Sequence, residues 1–360
     1  MIPIIYGILA FAASLVLTFF VRRFSFSRGI VDVPGEGRKK HRGSIPLLGG
    51  TAIFLSFWII FGAAYFFSEP SFWKTISARQ IIGVFIAGAV LMIFGYLDDK
   101  YSLRPRVQVW GPLLAVAVAL LFDVGARFIT NPFGGILRLD TYGFGAAWMG
   151  IWSIFPANVV AFFWLFGTMY TTKVLDGLDG LVSGIAAIGG FLIFLFATIT
   201  KYVQPDVALL AMIFAGSAAG FLVWNFYPAK IFLGESGSLF CGFMLGVLAV
   251  IAGGKIAIAL LIIGLPALDL LWVMLRRVFW EKHSFALADR KHLHFRLLDL
   301  GLSERQAVLT LYLFSILFGG VALFLPSREK LAALGILIIL MIILSVLTVL
   351  WPKKDKSCQK

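Results

Sequence analysis

The sequence predicts an all-α fold, a polytopic transmembrane helical bundle of 10–11 spans. Three observations carry this. Sixty per cent of the 360 residues are hydrophobic and only 14% are charged, against about 25% charged in soluble domains. The apolar residues fall in long unbroken runs, and about 20 such residues span a bilayer as a helix. Lys and Arg crowd the ends of these runs, as in loops held on the cytoplasmic side of a membrane. A soluble enzyme, a disulfide scaffold and a disordered tail are excluded. A transmembrane β-barrel would alternate polar and apolar residues, and this chain does not.

The spans are read in order. The run 2–21 ends in Arg22-Arg23 without a cleavage-site pattern, so it is a first span and not a removed signal. Further runs lie at 47–67, 80–97, 107–123, 152–170, 183–200, 207–224, 237–252, 256–275, 307–325 and 331–351. The weakest separation is Ala252-Gly253-Gly254-Lys255. A longer connector, 124–151, carries the turn-rich Asn131-Pro132-Phe133-Gly134-Gly135. No internal repeat or soluble domain is visible. Residues 1–351 form one integral-membrane domain, with a basic tail at 352–360. Cys241 and Cys358 make neither a disulfide framework nor a metal-ligand spacing.

Eleven spans place the termini on opposite sides. With the N-terminus outside, the inside connectors are 22–46, 98–106, 171–182, 225–236 and 276–306, together with the tail. They hold 23 Lys and Arg, against 8 in the outside connectors. This bias fixes the orientation and explains the net charge of +13 without nucleic acid. The same assignment gathers Asp98, Asp99, Asp176, Asp179 and Glu235 on the inside. All four histidines, His41, His283, His292 and His294, fall there too.

These groups suggest chemistry at the inner interface. Gly95-Tyr96-Leu97-Asp98-Asp99-Lys100 closes the third span with adjacent carboxylates, whose repulsion a divalent cation or a shared proton relieves. Leu175-Asp176-Gly177-Leu178-Asp179-Gly180-Leu181 puts carboxylates at i and i+3 before a helix N-terminus that favours phosphate. In Asn225-Phe226-Tyr227-Pro228-Ala229-Lys230-Ile231-Phe232-Leu233-Gly234-Glu235, the glutamate is a metal ligand or an N-terminal helix charge. Ser238 denies this segment a G-x-S-x-G nucleophile elbow. In Asp289-Arg290-Lys291-His292-Leu293-His294-Phe295-Arg296, basic groups around two histidines suit an anion better than zinc. If extended, the segment would turn His292 and His294 to one side, facing a cavity. The first inside loop, with Asp32, Pro34, Lys39, His41, Pro46, Gly49 and Gly50, anchors the chain or attracts a diphosphate. Asp269 is the one acidic residue deep in an apolar run, a structural tether or a proton site.

In this order the segments resemble the polyprenyl-phosphate N-acetylhexosamine-1-phosphate transferases, the superfamily of MraY, WecA and TagO. The match runs from Asp32 to about Leu313. It is closer to the WecA/TagO branch, because Asp289-Arg290-Lys291-His292-Leu293-His294 fits that branch's loop and lacks three consecutive histidines. The resemblance implies transfer of N-acetylhexosamine 1-phosphate, N-acetylglucosamine foremost, from a UDP-sugar to undecaprenyl phosphate. Products are the lipid diphosphate sugar and UMP, which initiates a cell-envelope glycan. It implies Mg²⁺, or Mn²⁺ in its place, a multi-pass protein of the cell membrane, and compatibility with a homodimer.

By the same resemblance Asp98, Asp99, Asp176, Asp179, His292 and His294 are catalytic. Lys39, His41, Lys173, Asn225 and Arg290 bind substrate, and Asp98, Asp99 and Glu235 hold the metal. Four positions depart from the pattern. Tyr170 and Lys173 replace asparagines, Glu235 replaces an aspartate, and Phe295 replaces a third histidine. Lys173 would bring charge to the phosphates or neutralise Asp176. The alternatives are a phospho-N-acetylmuramoyl-pentapeptide transferase, a transporter using its acids as ion sites, and an inactive paralogue.

Overall fold

The computed structural model describes residues 1–33, 43–125, 128–130, 136–139, 155–199, 203–253, 256–276 and 292–350. Every predicted apolar run is helical there. The helices are α1 (Ile2–Ser27), α2 (Gly49–Phe67), α3 (Ala78–Tyr101), α4 (Pro105–Gln108), α5 (Trp110–Leu121), α6 (Phe155–Leu175) and α7 (Leu181–Ile199). They continue with α8 (Pro205–Asn225), α9 (Gly234–Ile251), α10 (Ile256–Ile262), α11 (Gly264–Arg276), α12 (Leu293–Asp299), α13 (Glu304–Phe324) and α14 (Ser327–Leu350). Among the described residues, α1, α2, α3, α7, α8, α9 and α13 are long and apolar enough to cross a membrane. The fold is an all-α polytopic membrane bundle.

Two predicted runs are in pieces. The run at 107–123 is α4 followed by α5, and that at 256–275 is divided into α10 and α11. Pro266 has no N–H for the carbonyl of Ile262, so the helical ladder is interrupted where α10 ends. Two helix starts are capped by side chains. Ser77 with Gln80 and Ser303 with Gln306 form reciprocal capping boxes that start α3 and α13. Strand structure among the described residues is confined to two hairpins in connectors. Val31–Asp32 pairs with Ile45–Pro46, and Phe128–Thr130 with Ile136–Arg138.

α8 and α9 run through the middle of the bundle, with Phe214, Phe221, Phe240 and Phe243 fully buried. At the periphery Phe20, Ile59, Leu313 and Ile339 remain exposed, as side chains facing lipid are. Water does not drive helices together inside a bilayer, so close backbone contact must. Gly216 and Gly220 of α8 form a G-x-x-x-G face against α1. A Cβ on Gly216 would lie 2.1 Å from the Gly7 carbonyl oxygen, and one on Gly220 2.3 Å from that of Phe11.

Successive connectors alternate between two ends. At one end Arg22 Nε donates to the Lys230 carbonyl, Phe232 N to Pro46, and Arg305 Nε to Tyr227. At the other, buried Asp206 accepts from the backbone N–H groups of Thr75 and Ile76 at 2.6 and 3.0 Å. Arg79 and Gln80 there bond the carbonyls of Leu121 and Asp123. The five clustered carboxylates belong to the first end.

Candidate active site

The site is assembled where α3, α6 and α9 meet the connectors 176–180 and 226–233. α3 ends at Ser102, whose backbone turns left-handed, and its last turn carries the paired aspartates. Gly234 opens α9 with φ +76°, and a Cβ there would lie 2.5 Å from Asp99 Oδ2. Only glycine lets the α9 N-terminus come this close to α3. Glu235 N–H then donates to Asp99 Oδ1 at 3.0 Å. The other oxygen of Asp99 is buried without a hydrogen-bond partner.

Asp98 turns elsewhere. Its Oδ1 accepts from Leu103 N at 2.8 Å, and both its oxygens accept from Gln108 Nε2 at 3.1 Å. Gln108 Oε1 accepts in turn from Lys173 Nζ at 3.1 Å, and Lys173 forms an ion pair with Glu235 Oε1. A continuous polar chain, Asp98–Gln108–Lys173–Glu235, therefore joins α3, α4, α6 and α9. Of the two sequence expectations for Lys173, neutralisation holds, but the partner is Glu235 and not Asp176.

Asp179 Oδ2 accepts from Ala229 N at 2.8 Å and so fastens the two connectors together. Asp176 is exposed on one side and surrounded by protein on the other. Burial, and then the charges of Glu235, Asp99 and Asp179, push its carboxyl up to about 8. The cluster thus concentrates more negative charge than it can hold comfortably at neutral pH.

Asn225 is placed otherwise than expected for a substrate contact. It is 4% exposed. Its Oδ1 accepts from the Ser183 hydroxyl at 2.8 Å, and its Nδ2 donates to the Ile231 carbonyl at 3.0 Å. It clamps the connector to α7 through one bond at each polar atom. The histidines also require correction. The segment is not extended, since His292 is the N-cap of α12 and His294 lies in its first turn. Both are buried, at 8% and 2% exposure. Their rings are nonetheless parallel with centroids 5.8 Å apart, because the N-cap has extended dihedrals and the helix begins only after it.

Asp269 accounts for the position of α12. Its Oδ2 pairs with His292 Nδ1 at 2.9 Å, and its Oδ1 accepts from Leu293 N at 3.1 Å, which tethers α12 to α11. The tether possibility read from sequence is the one the geometry favours. His294 packs on the Asp176–Asp179 turn, where a Cβ on Gly177 would lie 2.5 Å from its Nε2. Burial and neighbouring His292 lower its pKa to about 3, so its imidazole is neutral. Lys39, His41 and Arg290 lie outside the described residues.

Two contributors escaped the sequence reading. Gln108, in a short stretch with no motif, links Asp98 to Lys173. Tyr312 of α13 donates its hydroxyl to the Gly180 carbonyl and supports the aspartate turn from behind. A phenol among the mostly apolar residues of α13 was its only signal.

Residues 81–253 match the family model described as glycosyl transferase family 4. The chain is 32% identical to the probable undecaprenyl-phosphate N-acetylglucosaminyl 1-phosphate transferase of Bacillus subtilis, over 92% of this chain and 87% of that one. The chain belongs to the polyprenyl-phosphate N-acetylhexosamine-1-phosphate transferase superfamily. It is 29% identical to the decaprenyl-phosphate N-acetylglucosaminephosphotransferase of Mycobacterium tuberculosis, over 89% of this chain and 83% of the relative. A phospho-N-acetylmuramoyl-pentapeptide-transferase of Halalkalibacterium halodurans is 29% identical over 85% and 90%. Within the superfamily the chain is an enzyme of the sugar-phosphate transferase type.

For the divalent ion that the superfamily implies, the fold offers two neighbouring carboxylates. Asp99 Oδ2 is a buried carboxylate oxygen lacking a donor, and Glu235 is its neighbour across the α3–α9 junction. The hard oxygen donors suit Mg²⁺ or Mn²⁺. As the side chains stand, no three His, Cys, Asp or Glu among the described residues are grouped to hold a metal. Glu235 is engaged by Lys173, and Asp98 by Gln108.

Proposed function

We propose that this enzyme transfers N-acetylglucosamine 1-phosphate from the UDP-sugar to undecaprenyl phosphate. The observation that carries this is the convergence of Asp99, Asp176, Asp179 and Glu235 at the end of a membrane bundle. One substrate there is a lipid phosphate held in the bilayer, and the other is a soluble diphosphate. An oxygen of the lipid phosphate bonds to the sugar-bearing phosphorus. The bridging P–O bond to the uridylyl phosphate breaks, and its electron pair leaves with UMP.

The nucleophile is already anionic, so catalysis is positioning and charge neutralisation. Asp99 and Glu235 would hold the divalent ion, which supplies charge neutralisation on the diphosphate and the departing UMP. Lys173 offers an ammonium at the same place. Asp179, through Ala229 N, and Asn225, through Ile231, hold the connector beside the acidic cluster. Neutral, buried His294 keeps the aspartate turn packed, and Asp269 fixes His292 beside it. The excess of Lys and Arg at this end orients it toward the cytoplasm, with the N-terminus outside.

The test is purified protein with undecaprenyl phosphate and a panel of UDP-sugars, with UMP release as readout, in Mg²⁺ and in EDTA. Release with UDP-N-acetylglucosamine that EDTA abolishes is expected. Release only with the muramoyl-pentapeptide donor would reassign the sugar, and no release with any donor would overturn the proposal.

A further inference from the structure

Lys173 stands at an unusual point. In the acidic cluster its ammonium is bound to Glu235 and to Gln108 Oε1, and its side chain is only 22% exposed. Its neighbour across the α3–α9 junction, Asp99, carries a buried oxygen with no donor. One carboxylate therefore has a cation it does not share, while the adjoining one has none. The ammonium is bonded to Glu235 and Gln108 and leaves that Asp99 oxygen without a donor. A divalent ion between them would satisfy both, and the ammonium is what stands in its way. Lysine also has somewhere to go. Its Nζ lies 5.8 Å from the centre of the Tyr170 ring, one turn back on α6, within range of a cation–π contact.

We infer that Lys173 is an exchangeable internal counter-ion, which holds Glu235 in the free protein and yields it to the divalent cation on metal binding. The inference rests on the transferase reading for its purpose, but not for its test. The exchange offsets one of the cluster's negative charges when no metal is bound, and it weakens metal affinity, since the ammonium must first be displaced. Released toward Tyr170, the ammonium remains close enough to meet the phosphates of an incoming substrate.

The test reads metal binding without substrate. Mn²⁺ alone is titrated into the purified protein and followed by electron paramagnetic resonance. Lys173→Met should bind Mn²⁺ at least tenfold more tightly than wild type. Lys173→Arg, which keeps the charge, should stay near the wild-type affinity, and Glu235→Gln should lose binding. Unchanged or weaker binding by Lys173→Met overturns the inference. Should that variant fail to fold, the wild type answers alone. Brief acylation of lysines, read by mass spectrometry, should label Lys173 several-fold faster in Mg²⁺ than in EDTA. Equal labelling in both overturns the exchange and makes Lys173 a permanent partner of Glu235. Metal-dependent labelling without UMP release from any donor would uphold the exchange and sink the transferase proposal instead.

Discussion

At the scale of single residues, buried charge is kept where stability alone would remove it. Asp99 holds a carboxylate oxygen away from water with no donor, which costs folding free energy. Asp99→Asn should therefore lower UMP release by about 10²–10³-fold while leaving the melting temperature equal or higher. A clear fall in melting temperature would make Asp99 a structural residue. Glu235→Asp replaces glutamate by the residue usual in the superfamily, yet it draws the carboxylate back from Lys173. Alone it should reduce activity, and Lys173→Asn added to it should restore part of the loss. A double-mutant cycle with no coupling between the two would show that they act independently. His294 gives a pH signature. Its pKa is about 3 in the fold against the ordinary histidine value of 6.5, so the unfolded chain takes up a proton on acidification before the native one does. Stability held above pH 6.5 is then lost as pH falls toward 3. His294→Gln should show a shallower decline in melting temperature between pH 6.5 and 4 than wild type. Parallel declines would place a charged histidine there.

At the scale of elements, the apolar runs made the helices legible, because a helix satisfies its own backbone in lipid whatever its neighbours do. The division at Pro266 was also within reach of the sequence, since proline cannot donate. Helix pairing was not, although Gly216 and Gly220 gave the hint. Gly220→Val should place its Cβ against the Phe11 carbonyl and the Ser14 side chain, separating α1 from α8. Loss of the monodisperse peak in size-exclusion chromatography is the expected result, and normal elution would remove this contact from the fold's requirements. Asp206 is 0% exposed and serves two loop N–H groups and the Val207 N–H of its own helix. Asp206→Ala should cost about 2–4 kcal/mol, as buried donors lose their acceptor. It should do so without changing the KM for the UDP-sugar, since Asp206 sits at the opposite end from the acidic cluster.

For the molecule as a whole, orientation is the property with the widest consequences. A cysteine in place of Ser102, at the acidic end, should react with a membrane-impermeant maleimide only when the cytoplasmic face is accessible. One in place of Ser71, at the other end, should react from outside intact cells; the reverse pattern would invert the bundle. The sequence by itself determined the helices, the membrane-spanning class, the superfamily and the side-by-side placement of the acidic motifs. Those follow from local hydropathy, charge asymmetry and short-range motifs, each contained within a few neighbouring residues. Only the tertiary structure decided who pairs with whom. Lys173 meets Glu235 across 62 positions and Asp269 meets His292 across 23. Asn225 turns inward to Ser183 and Ile231, and the histidines stack at a helix cap although the segment is not extended. A motif names the groups available. Which oxygen remains without a partner is settled by three-dimensional packing, where each buried donor takes the nearest acceptor that geometry allows.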